Sequence, residues 1–100
     1  MATPLTINAD RRGDATVLIA TGEIDLTNVE AFDAALVDAG AERDSPVTVD
    51  LSGIEYLDSG GINVLFAHAD RIQVIANPIL MSVLKISGLT DVASVESAGD

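Results

Sequence analysis

Val47, Val49 and Leu51 alternate with Thr48 and Asp50, the period-two pattern of a strand that buries one face and leaves the other partly wet. From Ile62 the apolar residues recur at helical spacing, at Leu65, Phe66 and Ala69. Asp58 or Ser59 stands where a helix N-cap belongs, so a helix starts at about Ser59. Nearer the N-terminus, Leu5, Ile7 and Ala9 alternate with Thr6, Asn8 and Asp10, and Arg12-Gly13-Asp14 supplies turn residues before a strand over Ala15–Thr21. The pair reads as an antiparallel hairpin whose second, more continuously apolar strand lies nearer the middle of a sheet. That strand ends at Gly22-Glu23-Ile24-Asp25, read as a loop. Thr27 and Glu30 have the spacing of a capping box, which makes Glu30 a capping residue. They open a helix with Val29, Phe32, Leu36 and Ala39 on one face and Gly40 as its stop.

Ala41 to Pro46 is a short polar connector into the strand that begins at Val47. The helix from Ser59 ends near Ala69 or Asp70, because Arg71–Ala76 reads as another strand, with Ile72 and Val74 opposite Gln73. Asn77-Pro78 starts a third helix, an N-cap followed by proline at the first helical position. Ile79, Leu80, Val83, Leu84 and Ile86 give it a wide apolar stripe, and Gly88 ends it; the outer part around Ile79, Met81 and Ile86 serves either a partner or the core, and the core is the preferred assignment. Val92–Val95 adds a short last strand, and Ser97–Asp100 is a frayed tail. This order implies an α/β domain built on a mixed four- or five-stranded sheet, its later strands parallel and joined by right-handed crossovers. Three helices crowd mainly one face, since the strands keep a polar side.

Composition narrows the function. One hundred residues, of which 48% are apolar, make a single domain spanning residues 1–100, with core enough for two layers. Five basic residues against 16 acidic ones give a net charge of -11, which argues against a nucleic-acid or anionic-membrane surface. No stretch has the apolar length of a signal peptide or a membrane span, so a cytoplasmic protein is expected. The absence of cysteine excludes disulfides and thiol chemistry, and one histidine, His68, cannot build a zinc site of Cys and His ligands. No cofactor is expected. His68 is read as a surface or edge residue of the second helix. By helical rise it lies more than about 10 Å from Ser59, too far to act as its base. Neither a phosphate-binding loop nor a dinucleotide fingerprint occurs, so the chain is not expected to be an enzyme.

What remains is the turn Asp58-Ser59-Gly60-Gly61. Glycine at the second and third helical positions costs up to about 1 kcal/mol each relative to alanine, so a mere cap is poorly served by them. Access to the Ser59 hydroxyl, or close approach of the backbone, would compensate. The run from Asp50 to Leu65, Asp-Leu-Ser-Gly-Ile-Glu-Tyr-Leu-Asp-Ser-Gly-Gly-Ile-Asn-Val-Leu, resembles the signature of the STAS domain. That fold is shared by bacterial anti-sigma factor antagonists and the cytoplasmic tails of sulphate transporters. Gly22-Glu23-Ile24-Asp25 is similar to the family's loop after the second strand, and Ile86-Ser87-Gly88-Leu89 to its late helix end.

The resemblance to the antagonists implies phosphorylation at Ser59. It further implies an anti-sigma factor serine kinase as partner, released when Ser59 is phosphorylated, and a phosphoserine phosphatase as a second partner. Asp25 and Asp58 both fall where a strand leads into a helix, and in parallel α/β units those ends share one edge of the sheet. They are expected to border Ser59 and, with Gly60, Gly61 and Ile62, to form the partner-binding surface. Without the motif, the same carboxylates would be simple helix caps. The alternative function is a structural STAS subunit of a lipid-transport or signalling assembly, in which Ser59 is not phosphorylated.

Overall fold

The structure is a computed structural model that describes residues 3–13, 15–40 and 46–99. Strand β1 (Thr6–Arg12) pairs antiparallel with β2 (Ala15–Ile24), Arg12 opposite Ala15. Asp14, assigned to the turn, and most of the connector, residues 41–45, lie outside the described residues. Helix α1 (Val29–Gly40) leads to β3 (Val47–Leu57), helix α2 (Ser59–Ala67) and a 3-10 turn at Ala69–Arg71, then β4 (Ile72–Ala76). A second 3-10 turn at Pro78–Leu80 runs into α3 (Met81–Ser87), followed by α4 (Leu89–Val92) and β5 (Ser94–Ser97). The sheet has five strands in the order β1-β2-β3-β4-β5, with every pair after the first parallel.

One face of this sheet is dry. Leu18, Val49 and Val74 are aligned across three neighbouring strands and almost fully buried, whereas the alternating positions Thr48 and Gln73 are wetter. Phe32, Leu36 and Ala39 of α1, Leu65 of α2, Leu84 of α3 and Leu89 of α4 complete the core. The class is therefore the expected one, a mixed sheet with its helices gathered on the dry face, but among the described residues four α-helices occur where three were expected.

The extra element has a local cause. Gly88 takes φ +92°, a left-handed conformation natural for glycine, and its amide closes the end of α3 on the carbonyls of Leu84 and Lys85. The chain then turns directly into the four residues of α4, so β5 starts at Ser94 rather than Val92. The tail is tied further along than expected, because the Ala98 amide donates to the Ala76 carbonyl at 2.7 Å.

The strands β2 and β3 are longer than their alternation indicates. β3 leaves β4 after Leu51, which pairs with Ala76, and continues against β2 alone to Leu57, opposite Ile24. The register shifts between Ile19 and Thr21 and again between Gly22 and Glu23. Each irregularity breaks the period of two, so burial along β3 alternates to Leu51 and then recurs every third residue, at Ile54 and Leu57. Gly22–Ile24 are thus strand, not loop, and β3 runs on through Ser52–Leu57. They form a two-stranded extension that carries the β2-α1 and β3-α2 connections side by side.

Candidate functional site

At the tip of that extension Asp58 is the N-cap of α2. Its backbone is extended (φ -88°, ψ -177°) and its Oδ1 accepts the Gly61 amide at 3.1 Å. Of the two candidate caps the structure selects Asp58, which puts Ser59 at the first helical position with its side chain exposed. The Asp58 amide donates to the Ile24 carbonyl at 3.3 Å, fastening the serine turn to the end of β2.

The two glycines serve different ends. A Cβ built on Gly61 would fall inside contact distance of Leu57 Cδ1 and 3.0 Å from Ile24 Cγ2, so here the backbone packs where no side chain fits. A Cβ on Gly60 would meet Asp58 Oδ1 at 3.2 Å and Val29 Cγ2 at 3.7 Å, which places the turn against the start of α1. Gly60 is half-buried, Gly61 buried and Ile62 half-buried against the core.

Asp25 lies in the neighbouring connection, between Ile24, bonded to the Asp58 amide, and Val29, packed beside Gly60. Its Oδ1 accepts the Thr27 hydroxyl at 2.6 Å and the Thr27 amide at 2.9 Å. Asn28 closes the other side, Oδ1 accepting the Asp25 amide at 3.0 Å and Nδ2 donating to the Glu23 carbonyl at 2.9 Å. The expected capping box is therefore not formed. Thr27 spends both its hydroxyl and its amide on Asp25, and Glu30 stays exposed. Spacing alone could not reveal that an aspartate two positions upstream competes for the same threonine.

The Thr27 hydroxyl, and then the Thr27 amide, hold the Asp25 carboxyl below its ordinary value, with burial opposing weakly. Being depressed, this group favours the folded turn at pH above its unfolded value, and that contribution is lost as pH falls through the folded one. Thr27→Ala removes the larger cause and keeps the amide bond, so the Asp25 pKa should rise toward the ordinary carboxylate value. A carboxyl-carbon NMR titration of both proteins measures this; an unmoved Asp25 would show that the hydroxyl does not set its charge.

Asp25, Asp58, Ser59, Gly60, Gly61 and Ile62 are thus brought to one edge of the fold. His68 is not part of it. Of the surface and edge positions expected for it, it takes the edge: it caps the C-terminal end of α2, half-buried, and its Nε2 lies 2.8 Å from Asp33 Oδ1 of α1. The assignment of the third helix's outer stripe to the core is also corrected. Leu80 and Leu84 are buried and Met81 packs half-buried against the core, as expected, but Ile79 and Ile86 are 64% and 84% exposed. Leu26, between Asp25 and Thr27, was passed over by sequence reasoning, and it is 82% exposed. Neither periodicity nor a motif marks a single leucine in a turn. Among the described residues no cluster of His, Asp or Glu is gathered for a metal ion, and no helix is long and apolar enough to cross a membrane.

Fold and site together define a small α/β domain that presents a serine on the first turn of a helix, beside two carboxylates. A family described as "Mlab, STAS domain" matches residues 7–95, and the chain belongs to the STAS domain family. The anti-sigma-F factor antagonist RsfB of Mycobacterium tuberculosis is 36% identical over 64 residues, which are 64% of this chain and 52% of the relative. The chain thus spans about half the length of the curated relatives it matches.

Among solved structures, an anti-sigma factor antagonist from Mycobacterium paratuberculosis superposes with a TM-score of 0.85 at 23% identity, covering 93% of this chain and 86% of that one. The anti-sigma factor antagonist SpoIIAA in its unphosphorylated form gives 0.73 at 19% identity, covering 95% and 90%. At such identities the likeness is one of fold.

Proposed function

We propose that this domain is an anti-sigma factor antagonist. In its unmodified form it binds an anti-sigma factor that is also a serine kinase, and phosphorylation of Ser59 ends that binding. The observation that carries the reading is Ser59 itself: exposed, at the first position of α2, with the cap supplied by its neighbour Asp58 so that the hydroxyl has no structural duty. The name of the mycobacterial relative supports the same reading.

The contact surface in this reading is the turn Asp58–Ile62, Asp25 and the exposed side of α2. Incubation with the kinase and ATP, followed by mass-spectrometric location of the phosphate, tests it. Phosphate on Ser59 alone is the expected result. A domain that binds no anti-sigma factor and stays unmodified would instead be a structural STAS subunit.

A net charge of -11 draws this domain toward a basic surface. The association rate constant should therefore fall as salt is raised from about 0.01 M to about 1 M, over which the screening length shrinks from about 30 Å to about 3 Å. Stopped-flow measurement of the two rates checks this, and equal rates would exclude electrostatic steering.

A further inference from the structure

We infer that Leu26 is the apolar anchor of the partner interface and enters an apolar pocket ringed by Lys or Arg side chains on the partner; this rests on the function proposed above. A single exposed leucine is ordinary on a protein surface. Leu26 differs in how it is held and in what surrounds it.

Its turn is pinned from both sides. Asp25 takes the amide and hydroxyl of Thr27, Asn28 takes the Asp25 amide and donates to the Glu23 carbonyl, and the Asp25 carbonyl accepts the amides of Asn28 and Val29 at 3.1 and 2.9 Å. An 82% exposed side chain is thereby presented on a backbone that need not be ordered when a partner arrives, which lowers the cost of binding. The turn also adjoins Ser59 through both of its flanks. Ile24 accepts the Asp58 amide, and Val29 packs against the position of Gly60.

The surroundings say what covers it. Residues 22–30 and 52–64, which make up the two connections and the extension beneath them, contain Glu23, Asp25, Glu30, Glu55 and Asp58 and no Lys or Arg. The Thr27 hydroxyl and amide hold the carboxyl of Asp25, the residue before Leu26, below its ordinary value, which favours its charged form. An exposed apolar side chain on a segment whose charged residues are all acidic is complementary to a basic-rimmed apolar pocket. It is a poor match to a second copy of this acidic chain or to an anionic membrane. Ile86 supplies the contrast. It is equally exposed, but it projects from α3 next to Lys85 and lies in neither connection.

The test compares binding of the anti-sigma factor kinase to the unmodified domain and to its Leu26→Ser, Leu26→Met and Ile86→Ser variants, with thermal melts of all four. Leu26→Ser should weaken binding about tenfold or more, mostly through faster dissociation, with an unchanged melt. Leu26→Met should restore most of the affinity, and Ile86→Ser should leave it unchanged. Wild-type affinity in Leu26→Ser, or the same loss in Ile86→Ser, would overturn the anchor while the proposed function stands. Failure of the unmodified domain to bind would overturn that function and the anchor with it.

Discussion

Ser59→Asp should lower affinity for the anti-sigma factor kinase by about 100-fold or more, while Ser59→Ala binds as the unmodified domain does and can no longer be released. The physical basis is the crowding of negative charge at one point. A phosphoserine carries roughly -1.5 to -2 charges at neutral pH. Ser59 lies directly beside Asp58, with Asp25 in the adjoining connection, so the added charge enters a surface already acidic on the domain's side. If the partner contacts a neutral hydroxyl there, a buried like-charge or unpaired-charge contact costs several kcal/mol, which corresponds to two or more decades of affinity.

The fold should not take part in this switch. The cap of α2 is Asp58 and not Ser59, so Ser59→Ala leaves the capping bond to Gly61 in place and should change stability by no more than about 0.5 kcal/mol. A charge at the first turn of a helix meets the positive end of its dipole, so Ser59→Asp should melt no lower than the unmodified domain. Binding constants and melts of the three proteins decide it. Equal affinity for all of them would reject the switch and favour a structural subunit; a loss of affinity that tracks unfolding would assign the effect to the fold.

The parts of the fold legible in the sequence are those governed by one periodicity at a time. Val47–Leu51, the inner face of α1 at Phe32, Leu36 and Ala39, and the stop at Gly88 each follow from local pattern or from a conformation only glycine adopts readily. The extension of β2 and β3 was hidden because two register shifts replace a period of two with one of three, a rhythm shared with a helix or a loop. The outward position of Ile79 and Ile86 was hidden for another reason: the width of an apolar stripe shows how much could be buried, and only the neighbouring elements decide how much is. At the site, the two glycines stood out because they suit a plain helix start poorly, whereas Asp58 and Ser59 fit an ordinary cap and Ser59 was singled out through the resemblance of the surrounding run to the STAS signature. Leu26 became visible only through its exposure and the bonds that fix its turn.

Gly61→Ala should be clearly destabilising and Gly60→Ala should not, although the two residues are adjacent and both occupy the first turn of α2. Two effects compete at each position. Alanine is favoured over glycine within a helix by up to about 1 kcal/mol. Against that, a methyl group at Gly61 would press into Leu57 Cδ1 and lie 3.0 Å from Ile24 Cγ2; Ile24 is fully buried and Leu57 nearly so. Overpacking of this kind costs about 1 to 3 kcal/mol, and it also pushes the Gly61 amide away from the Asp58 carboxylate that caps the helix. The clash should win by about 1 to 2 kcal/mol, lowering the melting temperature by roughly 5 to 15 °C in a domain of this size. At Gly60 the nearest atom is Asp58 Oδ1 at 3.2 Å, the oxygen that caps the helix; a small rotation of this partly exposed side chain relieves the contact and lengthens the cap bond slightly, so this cost and the alanine preference nearly cancel, to within about 0.5 kcal/mol. Thermal and denaturant unfolding of both variants separates the cases. A Gly61→Ala protein as stable as its parent would mean that the second glycine is not there for close packing, and would return it to the role of keeping Ser59 accessible.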